Sequence, residues 1–96
     1  MTLETTGWDV TDFLSNDPAI AAYLDAVFDG GDVDEMRDAL RHVARAKGIT
    51  ELAKAAGMTR AGLYKALGED GNPSFATVVA VLKALGVKLA AKPAAA

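Results

Sequence analysis

Five stretches of this chain repeat one layout: a small polar residue, apolar residues three and four positions apart, and then a glycine. Apolar residues at that spacing line one face of an α-helix; a strand, with its period of two, turns them to both faces. An Asp, Thr or Ser ahead of such a run can accept the free N–H groups of the first helical turn. A glycine behind it adopts the left-handed conformation that stops a helix. A chain punctuated in this way folds as a set of short helices.

Asp17-Pro18 opens the first of these, with Pro18 where a missing N–H costs nothing, and Ile20, Leu24, Val27 and Phe28 follow before Gly30-Gly31. Asp32 caps the next, Glu35 stands where the return half of a capping box belongs, and Gly48 ends it. Its apolar stripe is Val33, Met36, Leu40 and Val43, which is expected in the core, and Arg37, Arg41 and Arg45 form a basic ridge beside it. Thr50 is expected to cap a short helix through Ala56, Gly57 to make a tight turn, and Thr59 to cap a helix to about Leu67. After a loop from Gly68 to Pro73, Ser74 caps a last helix bearing Phe75, Val78, Val79, Leu82 and Leu85, stopped at Gly86. Val87 and Leu89 alternate with Lys88, which allows a short terminal strand. Ahead of these, Asp9 can cap a short turn carrying Val10, Phe13 and Leu14, with Trp8 just outside it. The expected organisation is a disordered stretch over 1–8, one domain over 9–90 and a flexible tail over 91–96. Within the domain an acidic helical segment, 9–36, precedes a core over 33–90.

Ninety-six residues make one domain with a modest core. The apolar fraction of 51% is largely alanine, which favours helix. There is no cysteine, which removes disulfides and thiolate metal sites and suits a reducing cytoplasm. No apolar run approaches the ~20 residues that span a bilayer, and the first ten residues lack the basic and apolar regions of an export signal. A cytoplasmic location is expected. The net charge of −3 hides a division: residues 1–36 hold nine acids and no Lys or Arg, whereas residues 37–96 hold all ten bases and four acids, −9 against +6. Two surfaces with opposite electrostatic preferences follow, unless the acidic part is only a well-solvated helix.

Two short helices joined by a tight turn need a small residue at the crossing, a residue tolerant of positive φ in the turn, and apolar residues to lock the angle. Ala53, Gly57 and the set Leu52, Leu63 and Leu67 supply these, at the spacing used by Cro- and repressor-type helix-turn-helix units. The unit then lies at about Ile49 to Gly68, with the helix from Thr59 to Leu67 entering the major groove by its N-terminal end. Leu63 and Leu67 face inward, so Arg60, Ala61, Tyr64 and Lys65 face out. Arg60 can fork onto guanine O6/N7 and Ala61 can meet a thymine methyl. Tyr64 and Lys65 can reach phosphate or base edges, although a tyrosine can equally pack at the core margin and both basic residues can be ordinary surface charges. Thr59 and Ser74 open helices whose free N–H groups can hold phosphates, and Asn72 can add a further contact.

The stretch ALRHVARAKGITELAKAAGMTRAGLYKALGEDGNPSFATVVAVLKALGVKL resembles the helix-turn-helix antidote (antitoxin) family of bacterial addiction modules, with TRAGLYKAL and GNPSFAT as its most distinctive runs. The resemblance extends upstream through AAYLDA and covers Asp9 to Leu89. It implies an all-α, lambda-repressor-like (Xre-type) bundle of about five helices. It also implies a homodimer that binds its own operator DNA, represses its own operon and neutralises a small basic RelE/ParE-like toxin. The approach to the first short helix, GITELA, is about two residues shorter than in larger repressors, which makes that helix brief. The toxin-binding residues are expected in the acidic third: Trp8, Phe13 and Tyr23 as anchors, with Asp25 and Asp29 as charges, while Arg37, Arg41 and Arg45 onward can face phosphate. Trp8 and Phe13 can instead merely cover the core.

Catalysis has little support. His42 is the single histidine, four residues after Asp38 with which it can make a surface pair, and no nucleophile accompanies it. The carboxylates Asp9, Asp17 and Asp32 fall at helix caps, so no metal or other cofactor is needed to explain them. The remaining alternatives to an antidote are a stand-alone transcriptional regulator without a toxin partner and a protein-interaction module with a vestigial helix-turn-helix.

Overall fold

The computed structural model describes residues 17–94, and among them five α-helices follow one another without a strand. Helix α1 is Pro18–Gly30, α2 Val33–Lys47, α3 Ile49–Ala55, α4 Arg60–Leu67 and α5 Phe75–Ala84. No helix among them is long and apolar enough to cross a membrane. The expected Asp9 turn, with Trp8, Val10, Phe13 and Leu14, lies outside the described residues.

Most of the punctuation performs as its chemistry dictates. Asp17 accepts the Ala19 N–H at 3.0 Å, Asp32 that of Glu35 at 2.9 Å, Thr59 that of Gly62 at 2.9 Å and Ser74 that of Thr77 at 3.1 Å. The exception is α3. Thr50 is not its cap; Gly48 occupies that position with φ +100° and offers no side chain. Gly48 both closes α2, donating to the Ala44 carbonyl at 3.0 Å, and opens α3, accepting the Leu52 N–H at 3.0 Å. With one residue serving both helices, Ile49 becomes the first of α3, and its burial rather than a polar cap fixes the start.

The core is a single cluster. Ile20 and Leu24 come from α1, Ala39, Leu40, Val43 and Ala44 from α2, Ile49, Leu52 and Ala53 from α3, Leu63 and Leu67 from α4, and Val81 and Leu82 from α5, with Leu85 just beyond it. Helix α1 packs on α2, α2 on both α3 and α4, and α3 on both α4 and α5. Two apolar residues expected inside lie outside: Val33 is 72% exposed and Phe75 73%. Each is the first residue of its helix, in phase with the inward-facing stripe but left in solvent at the helix start. The expected strand at Val87–Leu89 is also absent, and no strand lies among the described residues for that segment to pair with. The chain instead folds back at the end of α5: Gly86 takes φ +75°, its N–H meets the Lys83 carbonyl at 3.0 Å, and Val87 N–H meets that of Leu82 at 2.9 Å. This paired closure is the Schellman arrangement.

Candidate functional site

The turn between α3 and α4 sets everything that follows. Gly57 takes φ +73°, donating to the Lys54 carbonyl at 3.1 Å, and Met58 N–H reaches that of Ala53 at 2.8 Å. Any other residue at Gly57 would hold a left-handed conformation that L side chains resist. Met58 packs its thioether against the core and Thr59 caps α4 directly afterwards, so no slack remains between the helices. Ala53 is 2% exposed, and Leu52 and Leu63 are fully buried. The small residue, the glycine turn and the leucines assume the places their spacing predicts.

With Leu63 and Leu67 inside, Arg60, Ala61, Tyr64 and Lys65 form the exposed face of α4. Tyr64 is 41% exposed, so part of its ring is open to solvent, and the Arg60 guanidinium sits over that ring at 5.7 Å from the centroid. This cation–π contact was not legible beforehand, although the i, i+4 spacing carries the signal. At ~0.5–1 kcal/mol in an exposed setting it orients Arg60 while leaving it able to take another partner. Ser74 and Asn72 are also exposed. The Ser74 hydroxyl donates to Thr77 Oγ1 at 3.0 Å while accepting the Thr77 N–H, so this cap is occupied by its own helix. Thr59 likewise holds Gly62 N–H, and a Cβ at Gly62 would come within 2.9 Å of Thr59 Oγ1.

The basic ridge of α2 behaves differently from its expected role of facing phosphate. Only Arg45 is exposed. The side chains of Arg37 and Arg41 are 11% and 15% exposed and turn toward the far end of α4. Arg41 Nη1 donates to the Leu67 carbonyl at 3.2 Å, and Arg37 Nη1 to the Gly71 carbonyl at 3.2 Å. Asp38 Oδ1 takes Arg37 Nη2 at 3.3 Å and Arg41 Nη2 at 3.1 Å, while Asp34 takes Arg37 Nη1 at 3.1 Å. Asp38 is thereby turned from His42, whose expected surface pair is replaced by a 3.4 Å approach of its Nδ1 to the Tyr23 hydroxyl on α1. Sequence reading missed this arrangement because the i, i+4 pattern of arginines is the same whether they face solvent or a neighbouring helix end.

The proposed partner-facing residues divide. Trp8 and Phe13 lie outside the described residues. Tyr23, 41% exposed, sits on the α2 side of α1. Asp25 and Asp29 sit on the opposite flank, next to the C-terminal segment, where Lys92 Nζ approaches them at 3.7 and 4.0 Å. The outer ridge between the flanks consists of the exposed Ala19, Ala22 and Ala26. At the N-terminus of α1, Asp17 Oδ2 pairs with Lys47 at 3.1 Å. That bond, with the Ala19 N–H after it, holds the Asp17 carboxyl below its ordinary pKa.

The profile of a protein family described as "Probable addiction module antidote protein" matches residues 4–93 of the chain. A protein of Haemophilus influenzae described only as "Uncharacterized protein" is 39% identical over 88 residues, covering 92% of this chain and 91% of that protein. No solved structure matches. The chain thus belongs to the family of probable addiction-module antidote proteins, a role that implies a toxin as partner.

Proposed function

We propose that this antidote also binds DNA in a sequence-specific manner, through a helix-turn-helix formed by α3 and α4, and thereby represses its own operon. The observation that carries the reading is the arrangement around α4: its two leucines are buried, its turn is closed on Gly57, and Arg60, Ala61, Tyr64 and Lys65 stand together on its free face. In a major groove, Arg60 at the first helical position is the side chain nearest the bases, forked onto guanine O6/N7, with Ala61 against a thymine methyl. Tyr64 and Lys65, a turn later, meet phosphate or base edges. The N–H groups at the starts of α4 and α5, beside Thr59 and Ser74, together with Asn72, hold backbone phosphates. One such helix reads only a few base pairs. The operative form is therefore a homodimer on an inverted repeat with half-sites about one helical turn, ~34 Å, apart.

The toxin, a small basic RelE/ParE-like protein in this reading, lies across α1. The alanine ridge lets its surface approach closely, Asp25 and Asp29 meet its charge on one flank, and Tyr23 anchors it on the other. Trp8 and Phe13 are further anchor residues in this reading. Protein and toxin meet in the cytoplasm in this reading.

The test is a double substitution, Arg60→Ala with Lys65→Ala. The variant is expected to lose operator binding in a mobility-shift assay, to keep its helical content and melting temperature, and to rescue growth against the toxin encoded beside it. Wild-type operator affinity in this variant would overturn the assignment of α4. A protein with no toxin encoded nearby and intact operator binding would be a stand-alone regulator, and one without salt-dependent DNA binding a pure interaction module.

A further inference from the structure

We infer that Arg37 and Arg41 are positioning residues for sequence readout: with Asp38 between them, they fix the C-terminal end of α4 and so set the angle at which Arg60 and Lys65 meet the bases. The inference rests on the DNA-binding reading of α4.

Three observations support it. First, both guanidinium groups donate to backbone carbonyls at and just after the end of α4, Leu67 for Arg41 and Gly71 for Arg37. The last carbonyls of a helix have no partner within it and carry its negative dipole end, so a cation there is both a cap and a favourable charge. Second, one carboxylate ties the two together. Asp38 Oδ1 accepts from both arginines, which fixes their forks relative to each other and to α2. Third, the loop they hold is folded tightly onto α4. Gly71 N–H meets the Gly68 carbonyl at 2.8 Å, and a Cβ at Gly71 would overlap the carbonyl oxygens of Lys65 and Ala66.

The geometry at the two ends of α4 is therefore unequal in kind. Its N-terminal end is held by a one-residue cap and a glycine turn from α3. Its C-terminal end is held by two long side chains from α2. Eight residues of helix are a short lever, and a change in the pivot at Leu67 rotates the face that carries Arg60 and Lys65. Base readout needs that face placed to within a fraction of an ångström, whereas attraction to phosphate needs only charge.

The competing role, direct phosphate contact by these arginines, makes opposite predictions. Two variants of the full chain, Arg41→Lys and Asp38→Asn, are titrated against two duplexes of about 30 bp, enough for two half-sites one turn apart. One duplex is the tightest wild-type binder from a set tiled across the region upstream of the protein's own coding sequence. The other has the same composition, scrambled. A lysine keeps the charge but, as a single-point donor, cannot span Leu67 and Asp38 as the guanidinium fork does. Arg41→Lys is expected to reduce discrimination between the duplexes about tenfold, comparable to one misread base pair, with the salt dependence of binding unchanged. Asp38→Asn is expected to do the same, with less strain on the fold because Asp38 is 39% exposed. If the arginines bind phosphate, Arg41→Lys leaves discrimination intact. Asp38→Asn, by deleting a repulsive charge, then tightens binding to both duplexes equally. Unchanged discrimination in either folded variant overturns the inference. A wild-type protein that does not discriminate between any tiled duplex and its scramble overturns the DNA reading itself, and the inference with it.

Discussion

Helices α1 and α4 lie on the same core, each capped at its start, buried along one stripe and free along the other, yet their C-terminal halves are held by different physics. Helix α4 is fixed at both ends by directional bonds: a threonine cap and glycine turn at one, and two nearly buried arginines at the other. Helix α1 is also capped at its start, by Asp17, which accepts Ala19 N–H and pairs with Lys47. Beyond the apolar packing of Ile20 and Leu24, however, its far half is held at the margin by the exposed ion pairs of Asp25 and Asp29 with Lys92. Directional bonds determine orientation; ion pairs between exposed groups contribute ~0–1 kcal/mol and tolerate movement. The difference matches what the proposed function asks of each face. Reading base edges requires a helix that does not tilt, while drawing in an oppositely charged protein requires carboxylates in roughly the right place.

The comparison breaks most severely if the shared core is damaged. Leu63 is fully buried between the helices of the turn, and Leu63→Ala is expected to destabilise the protein by ~2–5 kcal/mol, the range for a buried leucine truncation. Ala53→Leu is expected to cost ~1–3 kcal/mol by overpacking the crossing of α3 and α4. Thermal denaturation followed by circular dichroism measures both. If Ala53→Leu melts like the parent, Ala53 does not sit at the crossing and the register of the α3–α4 unit is wrong.

A second pair of substitutions sharpens the contrast without touching the core. Asp25→Lys with Asp29→Lys should leave stability nearly unchanged, since both side chains are more than two-thirds exposed. It should slow association with the toxin by tenfold or more at low salt, with the difference shrinking as salt rises, because charge chiefly sets encounter rate. Tyr23→Ala should act on the other flank and on the other constant, hastening dissociation. Operator affinity should be unaffected by either. If only one of the two changes toxin kinetics, the toxin occupies one flank of α1 rather than lying across it.

The sequence showed some of this clearly because the relevant physics is local. The caps at Asp17, Asp32, Thr59 and Ser74, the turn at Gly57 and the closure at Gly86 each depend on residues two to six apart. Their side-chain types admit few alternatives. The outward face of α4 followed from the same periodicity once Leu63 was placed inside. What escaped depends on distance along the chain. Arg41 meets Leu67 and Arg37 meets Gly71, separations that no periodicity encodes. Val33 and Phe75 have the right phase for burial, but whether the first turn of a helix overhangs its neighbours is a matter of length and packing. Thr50 has the chemistry of a cap, but Gly48 took that place and the helix began two residues early, at the buried Ile49.

The smallest expected effect concerns how α1 is pinned at its start. Asp17 carries two duties, capping α1 through Ala19 N–H and pairing with Lys47 at the end of α2. Asn caps as well as Asp does but cannot form the ion pair, so Asp17→Asn isolates the second duty. The Lys47 bond, and then the Ala19 N–H, lower the Asp17 pKa on folding. A carboxylate with a depressed folded pKa contributes stability that is fully present above its unfolded value, ~3.9, and lost as pH falls through the folded value. The parent is therefore expected to lose this contribution on acidification below about pH 4, whereas Asp17→Asn should show a shallower acid limb and nearly parental stability at pH 7. The measurement is the denaturant midpoint as a function of pH from 2 to 7, roughly the span over which carboxylates titrate. Parallel curves for parent and variant would show that the Asp17–Lys47 pair does not contribute to folding. Helix α1 would then be held at its start by the cap on Ala19 N–H and the packing of Ile20 and Leu24, without help from α2's last turn.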